Sequence, residues 1–184
     1  MSDAAIRAML PLAATQGWTW TTLRAGMAAA GEDPALAESA FPAGPVAAIA
    51  AWGDLANREM LAAAGDLSAL RIPARIRRLV EVRLHQAAPH KAAVRAALAH
   101  LALPWNLARG LRFSAATADA IWRGAGDRSA DFSWYTRRLS LGTIYAATLA
   151  WWLRDEATDV ASALAFLDRR LADLARMQRR TRSA

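Results

Sequence analysis

The sequence predicts an all-α fold, and three observations carry that expectation. Alanine and leucine are abundant while β-branched residues are scarce, with only 10 Gly and 7 Pro to interrupt helices. Apolar residues recur at three- and four-residue spacings through most of the chain. The breaks between those segments are short, so no linker is long enough to separate domains. With 184 residues and 55% apolar content, the chain has enough material for one buried core.

About nine helices follow, taken in order. Ser2 caps the first, with Asp3 in its opening turn, and Gly17 closes it; Ile6, Met9, Leu10 and Ala13 share one side. The second follows Thr19-Trp20 and stops at Gly31. A short third starts at Asp33-Pro34, where Pro at the first helical position costs nothing, and ends before Phe41-Pro42. The fourth occupies Gly44 to Gly65. The fifth runs from Arg71 to Ala87 with Ile72, Ile76, Leu79, Val80 and Leu84 inward and Arg71, Arg75 and Arg78 largely outward. His90 to Leu101 is the sixth. Pro104 opens the seventh, which carries Trp105, Leu107, Leu111, Phe113 and Trp122 and stops at Gly124-Ala125-Gly126. The eighth, from near Asp131 to Asp155, is lipophilic or aromatic on every face, the pattern of a helix buried in a bundle or lining an apolar space. The ninth, Thr158 to about Arg180, repeats Val160, Leu164, Leu167, Leu171 and Leu174 and ends in a basic tail.

Charge is uneven. Residues 1–70 carry a net −4, residues 71–112 a net +8 and residues 113–184 a net +3. All bases but Lys91 are arginine, which suits phosphate and carboxylate recognition and is equally the mark of an arginine-biased genome. Cysteine is absent, which excludes disulfides, thiolate nucleophiles and thiolate metal sites and is compatible with a reducing compartment. The start of the chain reads as neither a signal nor a transit peptide. The longest lipophilic stretch, Leu139 to Leu153, has 15 residues where a bilayer span needs ~20.

Catalytic chemistry is poorly supported. Glu81 and His85 stand at i, i+4 with no second carboxylate on that helix, and no Glu-x-x-His pair of the di-iron bundles occurs, so neither a metal site nor a cofactor is expected. Gly124-Ala125-Gly126-Asp127 lacks the preceding strand and the Lys of a nucleotide loop. No serine sits in a nucleophile elbow. Residues 1–60 have a helix-turn-helix layout like that of TetR regulators, whose short third helix enters the major groove. Here that helix is Pro34-Ala35-Leu36-Ala37-Glu38-Ser39-Ala40, with no Arg, Lys, Asn or Gln to read bases. Glu32, Asp33 and Glu38 would face phosphates at like charge. A ligand-responsive DNA-binding regulator of the TetR type is therefore the rival reading, and a small lipid enzyme without a nameable catalytic set is another.

The remaining signal is aromatic. Five of the eight Trp, namely Trp105, Trp122, Trp134, Trp151 and Trp152, fall on helices seven and eight with Tyr135, Tyr145 and Phe132. Such a set makes either a bulky core or an apolar pocket for a lipid-like ligand. Trp105, Tyr145, Leu149 and Trp152 are the candidate lining residues. Trp134 and Tyr135 point about 100° apart as helix neighbours, so one of them suits a partner interface better than the same core.

From Arg83 onward the chain resembles the ubiquinone-biosynthesis accessory proteins of the Coq-nine family. The matching stretches are Pro89-His90-Lys91-Ala92-Ala93-Val94-Arg95, Leu103-Pro104, Asp119-Ala120-Ile121-Trp122, Gly126-Asp127, Asp131-Phe132-Ser133-Trp134-Tyr135-Thr136-Arg137-Arg138, Leu141, Tyr145 and Phe166-Leu167-Asp168-Arg169-Arg170. The Asp-Phe-x-Trp-Tyr-Thr-x-Arg run is the specific part. The resemblance implies a TetR-like fold that does not work as a repressor, with helix-turn-helix-like helices over residues 1–65 and a lipid-binding part over 66–184 in one continuous unit. It implies a non-enzymatic, usually homodimeric protein that binds an isoprenoid quinone or related lipid and hands it to the di-iron demethoxyubiquinone hydroxylase. The hydroxylase would dock at Asp131, Trp134 and Tyr135, and the metal would sit in that partner. Mitochondrial members carry a further amphipathic, membrane-docking helix, whereas this sequence ends about 14 residues after Arg170. Arg176, Arg179, Arg180 and Arg182 would attract anionic lipid at about 1 kcal/mol each, or simply favour the end of a solvated helix. The expected location is bacterial and cytoplasmic, with peripheral contact at the inner face of the membrane.

Overall fold

Several helices begin where a side chain replaces a missing backbone acceptor. Ser2 Oγ accepts from the Ala5 amide at 3.2 Å, Thr19 Oγ1 from Thr22 at 3.2 Å, Asp33 Oδ1 from Ala35 at 2.9 Å and Asp159 Oδ1 from Ser162 at 2.7 Å. In the computed structural model, which describes residues 2–126 and 133–182, these caps help delimit nine α-helices. They are α1 (Asp3–Gln16), α2 (Trp20–Ala29), α3 (Ala37–Ala40), α4 (Pro45–Ala63), α5 (Ile72–Ala87), α6 (Lys91–Leu101), α7 (Leu107–Gly124), α8 (Ser133–Leu153) and α9 (Val160–Arg182). Single 3-10 turns at Pro34–Leu36, Ala88–His90 and Pro104–Asn106 lead into α3, α6 and α7. Among the described residues there is no strand, and the all-α class holds. Gly17, with φ near +72°, gives the left-handed turn that closes α1 at low steric cost.

The chain forms two compact units. The first joins Met1–Glu59 to Gln86–Phe113, and the second joins Met60–His85 to Ser114–Ala184. In the first unit α1 packs on α2 and on α6. Met9, Leu23, Met27, Phe41 and Ile49 lose essentially all contact with water there, each burial being worth about 1.5–3 kcal/mol. The Trp18 and Trp52 rings stack with centroids 5.4 Å apart, and Trp18 Nε1 donates to the Ala93 carbonyl at 3.1 Å, so the buried indole leaves no polar atom unpaired.

In the second unit α8 packs on α9, and Leu79, Leu84, Ile121, Leu141, Trp152 and Leu167 are fully or nearly fully buried. Arg75 fastens the connection into α5: its guanidinium donates to the carbonyls of Ser68, Leu70 and Ala125. Trp151 stacks on Phe166 at 5.5 Å, with the Arg170 guanidinium 5.4 Å from the same phenyl ring. One expectation fails here. α8 is not enclosed on every side, because Leu139, Thr143, Ala146, Ala147 and Ala150 face water while Leu141, Tyr145, Thr148, Leu149 and Trp152 are buried. Apart from Leu139, the exposed stripe is alanine and threonine, which cost little in water, so a uniformly apolar sequence still yields a two-faced helix.

Candidate functional site

The second unit contains a cavity of about 460 Å³, a size suited to a small organic ligand. Ile72, Pro73, Ala74 and Ile76 of α5 form one wall, Trp122 of α7 and Leu141 of α8 another, and Leu171, Ala172, Leu174 and Ala175 of α9 a third. These residues meet here because α9 changes character along its length. Ala163, Leu164 and Leu167 are buried in the packed half, whereas Leu171 and Leu174 continue the same apolar stripe but are only partly covered. The polar part of the wall is a single ion pair: Arg77 Nε lies 3.0 and 3.1 Å from the two carboxylate oxygens of Asp168. Both side chains are more than two-fifths exposed, so the pair adds little stability, about 0–1 kcal/mol. An apolar molecule would shed water against the α5 and α9 leucines and isoleucines, while a polar end would meet Arg77 and Asp168.

The nominated lining residues lie elsewhere. Tyr145, Leu149 and Trp152 are buried in the second unit on the inward face of α8, outside the cavity wall. Trp105 belongs to the first unit and is 71% exposed. Sequence reasoning passed over Ile72, Trp122, Leu141, Leu171 and Leu174 as a group. The available signal was the α9 stripe, which runs on for two leucines past the last fully buried one.

Asp131, on the expected docking patch, lies outside the described residues, as do the side chains of Trp134 and Tyr135 at the start of α8. The support beneath that segment is described. Arg138, buried, donates from Nε to Asp119 Oδ1 at 2.7 Å, and Arg123 Nε lies 2.9 Å from Asp119 Oδ2. The Arg that closes the Asp-Phe-x-Trp-Tyr-Thr-x-Arg run thus ties the first turns of α8 to the Asp of Asp119-Ala120-Ile121-Trp122 in α7, two motif stretches joined by one carboxylate. Glu81 is committed to Arg78, 3.1 Å away, and His85 is exposed. Among the described residues no group of three His, Asp or Glu is arranged to hold a metal ion, and no helix is long and apolar enough to cross a membrane.

In the helix-turn-helix-like part, the would-be reading element is a 3-10 turn followed by the four-residue α3. Leu36 is 56% exposed there, and Glu38 pairs with Arg24 at 2.7 Å. Glu32 accepts the Ser2 amide at 2.7 Å, and hydrogen bonding from Ser2 holds its carboxyl below the ordinary range, so it stays anionic.

Comparison with known proteins gives these elements a lineage. The COQ9 family model matches residues 107–178, which run from the first residue of α7 into the last turns of α9. The mitochondrial ubiquinone biosynthesis protein COQ9 of Rattus norvegicus is 37% identical over 102 residues, 55% of this chain and 33% of its own length. The Homo sapiens protein of the same name is 36% identical over 102 residues, 55% of this chain and 32% of its own. That of Drosophila melanogaster is 30% identical over 169 residues, 89% of this chain and 52% of its own. This chain therefore spans about a third to a half of the length of these relatives. A solved structure titled as the TetR transcriptional regulator from Nitrosomonas europaea superposes with a TM-score of 0.72 at 22% identity, covering 94% of this chain and 97% of that one, a likeness of fold. With its Asp-Phe-x-Trp-Tyr motif, the match over residues 107–178 and these relatives, the chain resembles the COQ9 family, and its fold is TetR-like.

Proposed function

We propose that this protein is a non-enzymatic, lipid-binding accessory protein of ubiquinone biosynthesis. It holds an isoprenoid quinone or related lipid and presents it to the di-iron demethoxyubiquinone hydroxylase. The observation that carries this reading is the cavity in the second unit, whose wall is almost wholly aliphatic and aromatic with Arg77 and Asp168 at one side. A quinone has that division of polarity, a ring with carbonyl acceptors on an apolar tail, and Arg77 is a donor for such a carbonyl. The names of the relatives supply the pathway. In this reading Asp131, Trp134 and Tyr135 receive the hydroxylase, the protein works as a homodimer, and the arginines at the end of α9 assist peripheral contact with a bacterial membrane from the cytoplasmic side.

The test is mass spectrometry of an organic extract of the purified protein, beside a variant altered on a remote surface. Recovery of a quinone, a quinone intermediate or another isoprenoid near one per chain or per dimer supports the reading, and a clean extract from both overturns it. Trp134→Ala or Tyr135→Ala should then weaken hydroxylase binding with the fold intact. Unfolding in either variant would instead assign that residue to the core.

The TetR-like fold keeps a DNA-binding regulator as the second reading. The short α3, its single acidic charge and the exposed Leu36 weigh against it. A gel shift with genomic fragments at low salt decides the matter, because a phosphate-binding protein retains non-specific affinity there.

A further inference from the structure

The first unit carries an exposed apolar cluster that lipid storage in the second unit does not use. Trp105, Leu107 and Leu111 fall within seven residues where the chain enters α7, and they are 71%, 54% and 65% exposed. Leu107 and Leu111, one helical turn apart, share a side with the exposed Ala108 and Ala115, while Asn106, Gly110 and Phe113 turn inward against the unit. Arg112 borders the apolar strip and Arg109 lies further round the same exposed arc. Neither arginine enters an ion pair among the described residues, although Arg112 Nε also donates to the Ala108 carbonyl at 3.3 Å.

Isolated exposed leucines need no explanation, but a Trp and two Leu at these exposures on one turn-and-helix segment, edged by cations, do. The surrounding charge selects the occupant. Residues 86–113, the stretch of the first unit that holds the corner, contain no acidic residue, whereas Arg95, Arg109 and Arg112 are exposed there. An apolar strip edged by exposed arginines, with no carboxylate on the same segment, matches the layered chemistry of an anionic bilayer. Its headgroups neutralise the arginines while the Trp ring and leucines enter the boundary between headgroups and acyl chains. Arginine also tolerates the depth, since its aliphatic stem lies along the apolar layer while the guanidinium reaches back to phosphate.

We infer that the Trp105–Leu111 corner and its flanking arginines form a membrane-surface docking site for anionic phospholipid. It acts independently of the cavity and of the α9 tail. The site would set the protein down on the bilayer that holds isoprenoid lipids, yet binding there needs no cargo.

The experiment is co-flotation of the full chain with vesicles of phosphatidylcholine alone or mixed with phosphatidylglycerol. The expected result is binding to the mixed vesicles only, weakened by salt. It should fall by about tenfold or more in Arg109→Glu/Arg112→Glu and in Trp105→Ser/Leu107→Ser/Leu111→Ser. Because all five side chains are exposed, both variants should keep the parental circular dichroism and melting temperature, and that is checked first. A Trp105→Phe variant gives a second readout: brominated acyl chains should quench the parent's fluorescence more than the variant's. Parental binding by the triple-serine variant, or no binding of the parent to anionic vesicles, overturns the inference. So does a triple variant whose change is in oligomeric state rather than in vesicle binding, which would make the corner an interface between copies. An Arg176→Ser/Arg179→Ser/Arg180→Ser/Arg182→Ser variant that alone loses binding likewise returns the role to the α9 tail. An empty organic extract would remove the quinone-carrier reading and leave these vesicle results standing.

Discussion

The two units bury their apolar residues to different ends. In the first, Trp18, Trp52, Phe41, Met9 and Met27 close on one another, and the buried indole nitrogen is satisfied by a backbone carbonyl. In the second, the stripe of α9 outruns its packing partners, and an aliphatic-walled cavity of about 460 Å³ stands where further core would be expected. A filled core gains dispersion contacts that an open one gives up, so the first unit draws more packing from its apolar residues than the second does around its cavity.

Substitutions can break or sharpen this contrast. The largest effect is expected from Trp18→Ala, which removes the centre of the filled core and should cost about 3–5 kcal/mol in urea denaturation; a loss of well under 1 kcal/mol would mean that the core is not as closed as described. Next come two glycines. A Cβ at Gly26 would run into Met9 Cγ and lie 3.1 Å from the Met9 backbone nitrogen, whereas at Gly124 it would meet only the ends of the Leu61 and Leu79 side chains. Gly26→Ala should therefore cost about 1–3 kcal/mol and Gly124→Ala less, with equal melting temperatures counting against the contrast. Leu171→Trp, at the partly covered cavity wall, should change stability by only about 0.5 kcal/mol while sharply reducing the lipid recovered on extraction. Unchanged recovery would separate the cavity from the lipid.

The smallest effect concerns pH. Burial holds the His100 imidazole below its ordinary value of 6.5, so the folded protein resists the proton that the unfolded chain accepts. The associated stability is fully present above that value and declines as pH falls through it. Urea midpoints between about pH 7.5 and about pH 5.5 should drop slightly more for the parent than for His100→Gln.

Much of the fold was legible because helix ends are written locally. Ser2, Thr19 and Asp33 cap helices through contacts within three residues, and Gly17 and Gly31 close them. The candidate site was less legible, because spacing shows which residues share a face and not what that face meets. Leu149 and Trp152 have the same character as Leu171 and Leu174, yet the first pair is buried in packing and the second borders a cavity. Trp105 reads as a lining residue by type and proves to be exposed. The sequence drew attention to the aromatics of α7 and α8, whereas the stacked indoles of the first unit come from positions 18 and 52, far apart in the chain, a pairing no local pattern announces.

That stack also makes the first unit optically distinct. Two indoles 5.4 Å apart with planes inclined by 25° are close enough to couple their electronic transitions, so the pair contributes an exciton signal to the ultraviolet circular dichroism. The second unit's stack pairs an indole with a phenyl ring, whose transitions differ in energy, and the coupling there is weaker. Melting followed at the indole couplet therefore reports the opening of the filled core, while helix ellipticity reports the whole chain.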